Sequence, residues 1–194
     1  MGSLFPPIRT EMMINLQEID KGWTLFLDRD GVVNHEKEAD YIRHRGEFRL
    51  YDGVTEAMPV FSKRFGRIVM VTNQKGIGKG LMSEEDLADI HAYMRSLLEP
   101  NGGRIDRIYY CPDLDEQSPN RKPNPGMGYQ ARKEFPEIDF SRSIMVGNTM
   151  GDMKFGKALG ARTIFIPSTK PMPVLPDPLI DGVYDNLLAL AKAL

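Results

Sequence analysis

Apolar residues gather along this chain in short unbroken runs, and the runs end in polar residues. Trp23-Thr24-Leu25-Phe26-Leu27 stops at Asp28, and Arg67-Ile68-Val69-Met70-Val71 stops at Thr72. Runs of this length predict strands buried on both faces, as in a parallel sheet. Residues 105–110, 143–146 and 162–166 read the same way, which makes five strands. Between them lie segments with helical character. Residues 54–65 follow Asp52-Gly53, and residues 84–98 follow Ser83, whose hydroxyl can cap the first turn. In the second segment Leu87, Ile90, Met94, Leu97 and Leu98 fall on one face. A third helix opens at Asn124-Pro125, with proline at its first position.

Strand and helix therefore alternate, which predicts an α/β fold: a doubly wound, mostly parallel sheet with right-handed crossovers and helices on both faces. Ligands bind such sheets beyond the carboxyl ends of the strands, where the polar residues stand here. Residues 167–178 hold five prolines and read as an extended surface connection.

Composition narrows the function. A chain of 194 residues with 41% hydrophobic content can bury one sizeable core, so one domain is expected over residues 21–194, after an N-terminal extension of residues 1–20 without a signal-peptide pattern. A net charge of −2, from 25 basic and 27 acidic residues interspersed, gives no field that favours nucleic acid or an anionic membrane. The lone Cys111 cannot form an internal disulfide, and no run approaches the roughly 20 apolar residues of a membrane helix. The expectation is a cytoplasmic protein, monomeric or weakly homo-oligomeric, acting on a small molecule.

Four polar groups at strand ends carry candidate chemistry. In Asp28-Arg29-Asp30-Gly31 one carboxylate can attack while the second moves protons, although acidic turns are also common by themselves. Thr72-Asn73-Gln74 offers a hydroxyl and amides to phosphoryl oxygens, or is a polar loop. Arg121-Lys122 can neutralise developing charge, or simply face solvent. Asn148 can complete a magnesium shell with Asp28 and the Asp30 carbonyl, with Asp152 as an outer partner or an orienter of Lys122; its plainer reading is a helix cap. Singly each is modest, but the fold order brings all four together.

So assembled, the chain from about residue 23 to 194 resembles the haloacid dehalogenase (HAD) superfamily. Asp28-Arg29-Asp30-Gly31, Thr72-Asn73-Gln74-x-Gly76-Ile77 and Arg121-Lys122-Pro123-x-Pro125-Gly126-Met127 are similar to the small branch containing D-glycero-D-manno-heptose 1,7-bisphosphate 7-phosphatases and histidinol phosphatases. The resemblance implies no large cap domain and one Mg2+ ion. Asp28 would be nucleophile and metal ligand, and Asp30 acid/base. Gly31, Thr72 and Lys122 would hold phosphate, while Asn73 and Arg121 would contact substrate or phosphate. Residues 34–50 and 112–120 become candidate specificity loops.

The chain departs from that family twice. Members often carry a Cys/His zinc site before Arg-Lys-Pro, whereas only Cys111 stands there, so no structural zinc is expected. Asn148 stands where an aspartate is usual, which removes one negative charge and predicts a weaker magnesium site. A heptose bisphosphate is favoured over histidinol phosphate as substrate, with Arg43, Arg45, Lys75, Lys79 and Arg121 suited to two anionic ends. Two competing readings stay open. A metal-independent dehalogenase would suit Asn148 but leaves Asp30 without a use, and a non-enzymatic binding module would need neither carboxylate.

Overall fold

The structure, a computed structural model, describes residues 14–194. Six strands form one sheet: β1 (Thr24–Leu27), β2 (Arg67–Asn73), β3 (Arg107–Cys111), β4 (Ser143–Gly147), β5 (Arg162–Phe165) and β6 (Gly182–Val183). Their order is β3-β2-β1-β4-β5-β6, and every neighbouring pair is parallel. The helices are α1 (Val54–Arg64), α2 (Lys75–Gly78), α3 (Glu84–Leu98), α4 (Gly126–Glu134), α5 (Met150–Leu159) and α6 (Leu187–Ala193).

The central strands are apolar between their polar ends because both faces are covered. Successive side chains point to opposite sides of a strand. Leu25, Leu27, Ile68, Met70, Ile144 and Val146 thus meet one core with α1, α3 and α6, while Phe26, Val69, Val71 and Met145 meet a second with α4 and α5. The doubly wound α/β reading holds, with no large cap domain inserted between the described elements. Of the expected extension, residues 1–13 lie outside the described residues, and Ile14, Leu16 and Ile19 are buried in the first core.

Differences from the sequence expectation lie at the ends of elements. The sixth strand has two residues, too few to carry a pattern. It follows Asp181, whose carboxylate accepts from the Thr163 amide at 2.8 Å and from Lys157 at 2.5 Å. Helix α4 starts at Gly126 with Pro125 as its cap, one residue later than Pro125 at the first position would place it. Strand β2 runs on through Thr72 and Asn73, so these residues end the strand instead of following it. No helix among the described residues is long and apolar enough to cross a membrane.

Candidate active site

The strand order reverses between β1 and β4, which is where such a sheet opens a crevice. The Asp28 amide donates to the Val146 carbonyl at 3.0 Å, so the loops leaving these two strands start side by side. Gly31 lets them close. Its φ of +81° suits glycine, and a Cβ there would fall 1.9 Å from Asn148 Nδ2.

Asp28, Lys122 and Asp152 meet below this loop. Lys122 Nζ lies 2.9 Å from Asp28 Oδ1 and 2.6 Å from Asp152 Oδ1, and all three side chains are buried. The second oxygen of Asp152 accepts from the Thr149 amide and hydroxyl, so one carboxylate both caps α5 and orients the lysine. Asn73 fixes the lysine from the other side. Its amide donates to the Lys122 carbonyl and its oxygen accepts from the Lys122 amide, both at 3.0 Å. Asn73 is thereby placed on the backbone of Lys122, and Arg121 points outward to the Asp113 carbonyl at 3.3 Å.

Burial, and then the charge of Asp152, push the Asp28 carboxyl up to about 7, against the pull of Lys122. Burial lowers the Lys122 ammonium, but the two carboxylates outweigh it and the net shift is upward. A carboxyl raised from 3.8 to about 7 opposes folding as pH climbs through that window, because the folded state holds the proton more tightly than the unfolded chain does. Asp28→Asn removes that opposition. In chelator at about pH 8 the variant is expected to melt above the wild type, with the difference vanishing at about pH 4, where Asp28 is protonated. Melting curves at the two pH values check this, and equal curves at the higher pH would contradict it.

Asp30 is held apart from this cluster. Arg29, fully buried, grips both of its oxygens at 3.0 Å, while Asn34 donates to Oδ1 and Gln74 to Oδ2, each at 2.9 Å. Burial alone would raise the Asp30 carboxyl, but the Arg29 charge and these hydrogen bonds win and lower it. Arg29 also lies 3.2 Å from His91 Nε2 on α3. Burial and the neighbouring guanidinium push His91 down to about 3, so it is neutral and Nε2 accepts from Arg29. Reading the sequence brought out neither Arg29 nor the contact of His91, because the partners are 62 positions apart. Thr72, also buried, accepts from Gln74 at 2.9 Å, which leaves its hydroxyl proton for a ligand.

The oxygens left over suit a hard cation. Asn148 is fully buried, its Nδ2 donates to Thr169 Oγ1 at 2.8 Å, and its Oδ1 has no hydrogen-bond partner among the described residues. Buried oxygens are rarely left unpaired, so this one has a lone pair free for a water or an ion. The described residues contain no cluster of three or more His, Cys, Asp or Glu side chains placed to hold a metal. Asp28, the Asp30 carbonyl and Asn148 would instead supply a mixed oxygen set, of the type magnesium takes.

A cavity of about 160 Å3 opens beside Asp30, and a larger one of about 580 Å3, lined also by Thr169 and Lys170, shares Glu36, Lys37, Asp40 and Tyr41 with it. Candidate loop 34–50 lines both, whereas 112–120 lines neither. The proline-rich stretch forms an unexpected wall. Its start crosses the crevice: Ser168 donates to the Gly31 carbonyl, Thr169 meets Asn148, and Lys170 pairs with Glu36 at 3.3 Å. Of the basic residues suited to a second anion, Arg43 is committed to Asp40 at 2.7 Å, Arg45 lies 3.7 Å from Asp89, and Lys79 lies over the Tyr41 ring.

Residues 119–188 match the family model described as HAD-hydrolase-like. A D-glycero-D-manno-heptose-1,7-bisphosphate 7-phosphatase of Chlorobaculum tepidum is 34% identical over 179 residues, covering 82% of this chain and 89% of that protein. The chain belongs to the HAD superfamily of phosphatases. Among other HAD relatives, the β-anomer enzyme of Vibrio cholerae is 36% identical over 84% of this chain and 91% of its own, and the α-anomer enzyme of Mycobacterium bovis is 33% identical over 88% and 90%. The crystal structure of D,D-heptose 1,7-bisphosphate phosphatase from B. bronchiseptica, complexed with magnesium and phosphate, superposes with a TM-score of 0.76 at 26% identity, over 88% of this chain and 96% of that one. This HAD member is accordingly a phosphoric monoester hydrolase.

Proposed function

We propose that this HAD phosphatase removes the 7-phosphate of a D-glycero-D-manno-heptose 1,7-bisphosphate, using Asp28 as nucleophile and one magnesium ion. The observation that carries the reading is the buried lysine shared by Asp28 and Asp152, next to the orphaned oxygen of Asn148. A lysine there neutralises both the attacking carboxylate and the incoming phosphoryl group, and this charge stabilisation is most of what phosphoryl transfer needs. The bound Mg2+ supplies further positive charge to the phosphoryl oxygens and keeps Asp28 ionised.

In the first step an Asp28 oxygen bonds to phosphorus as the bond to the sugar oxygen breaks, and Asp30 gives its proton to that oxygen. Thr72 and Lys122 hold phosphoryl oxygens meanwhile, whereas the Gly31 amide, expected beside them, donates instead to the Asn34 carbonyl at 2.8 Å. In the second step water attacks the aspartyl-phosphate, Asp30 takes a proton from it, and Asp28 is released with inorganic phosphate. Asp30 is ionised in its resting clamp, which fits its role as base in the second step. A bound phosphate dianion raises its proton affinity for the first.

The sugar assignment is supported by the heptose bisphosphatase relatives, and by a cavity whose walls mix Lys37 and Lys170 with Glu36, Glu38 and Asp40. Lys37, now paired with Glu47 at 2.5 Å, and Lys170, paired with Glu36, would turn to a second phosphate, and carboxylates suit sugar hydroxyls. Phosphate release from both anomers of the bisphosphate, from hexose mono- and bisphosphates and from histidinol phosphate tests this, with Mg2+ or chelator and with Asp28→Asn as blank. Magnesium-dependent preference for a heptose bisphosphate is expected. Preference for histidinol phosphate would overturn the substrate, and release unaffected by chelator would overturn the metal.

A further inference from the structure

Asn148 differs from an aspartate in a way that has a structural consequence. A carboxylate presents an oxygen whichever way it is turned, whereas an amide presents oxygen in one orientation and a non-ligating NH2 in the other. An asparagine at a cation site therefore needs something to hold its oxygen outward. Thr169 Oγ1 stands 2.8 Å from Asn148 Nδ2, and the opposite atom, Oδ1, is the one left buried and unpaired.

From this geometry we infer that Thr169 is a positioning residue for the metal: its hydroxyl accepts from the Asn148 amide and so locks Oδ1 toward the cation. The inference rests on the proposed role of Asn148 as a magnesium ligand. It also explains why an apparently irregular, proline-rich stretch enters the crevice. Ser168 is tied to the Gly31 carbonyl and Lys170 to Glu36, so Thr169 is held on both sides at the height of Asn148. Gly31 makes room for the amide in this orientation, since a Cβ there would fall 1.9 Å from the same nitrogen. In that orientation the NH2 finds an acceptor in Thr169 Oγ1 at 2.8 Å.

Partners that orient metal ligands typically contribute about 10- to 100-fold in metal affinity. The test is direct Mn2+ binding to the chelator-treated full chain, read as loss of the free-ion electron paramagnetic resonance signal and competed with Mg2+. Thr169→Val should weaken Mn2+ binding by about 10-fold or more, while Thr169→Ser, which keeps the hydroxyl, should bind like the wild type. In an Asn148→Asp background the same Thr169→Val change should leave affinity unaltered, because a carboxylate needs no orienting acceptor. Wild-type affinity in Thr169→Val would overturn the inference, as would equal weakening in both backgrounds, which would mark Thr169 as part of the wall only. Wild-type protein that takes up no Mn2+ at all would overturn the underlying metal reading, and the inference with it.

Discussion

Lys122→Met will lose about 10²- to 10³-fold or more in kcat, the loss expected when a charge-stabilising donor is removed from a water-excluded site. The methionine nearly matches the lysine in size, so the change isolates the ammonium. Its removal leaves the carboxylates of Asp28 and Asp152 buried without a cation between them. Breaking a buried pair by deleting one partner costs about 3–5 kcal/mol when the stranded charge stays ionised. Here Asp28, already raised to about 7 with the lysine present, can escape by taking up a proton. The destabilisation should therefore be small in acid and grow as pH rises toward neutrality. Urea unfolding at several pH values alongside steady-state kinetics reads both effects. Undiminished kcat in a folded variant would remove Lys122 from the chemistry.

Asp30→Asn should have the second largest effect, a loss of about 10²- to 10⁴-fold on the sugar phosphate, because an amide neither gives nor takes the transferred proton. Size alone would not separate catalysis from disturbance of the Arg29 clamp, in which both Asp30 oxygens are engaged. The leaving group separates them. An alkoxide needs a proton as it departs, whereas p-nitrophenolate leaves without one, so p-nitrophenyl phosphate should show a much smaller loss in the formation of the aspartyl-phosphate. Single-turnover rates with the two esters measure that step. Equal losses would mean that Asp30 acts only by holding Arg29 and Gln74 in place.

The fold was legible because each central strand is a run of apolar residues that both cores require, and because Ser83 announces α3 with a cap that the structure realises as a reciprocal capping box with Asp86. The candidate site was legible where one residue type at a strand end carries the chemistry, as at Asp28, Thr72 and Lys122. Residues whose work depends on a distant partner left no local pattern. Arg29 reads as a spacer between two aspartates until α3 brings His91 to it, and Thr169 reads as part of a connection until β5 delivers it to Asn148, 21 positions earlier. Asn73 shows the opposite limit: an amide suited to phosphate turns out to be committed, at both ends, to the backbone of Lys122. One available signal went unused. Thr149-x-x-Asp152 is a helix-start pattern, and it would have announced α5 and the inward position of Asp152 together.

The central claim is that Asp28 carries the phosphoryl group between substrate and water. Acid quenching of the magnesium-loaded enzyme during turnover, followed by borohydride reduction and peptide mass mapping, tests it most directly, since reduction converts an aspartyl-phosphate to homoserine. Homoserine is expected at position 28, dependent on Mg2+ and substrate and absent from Asp28→Asn. Reduction at another aspartate, or none at all under conditions in which single-turnover kinetics show a phosphoenzyme accumulating, would contradict the mechanism.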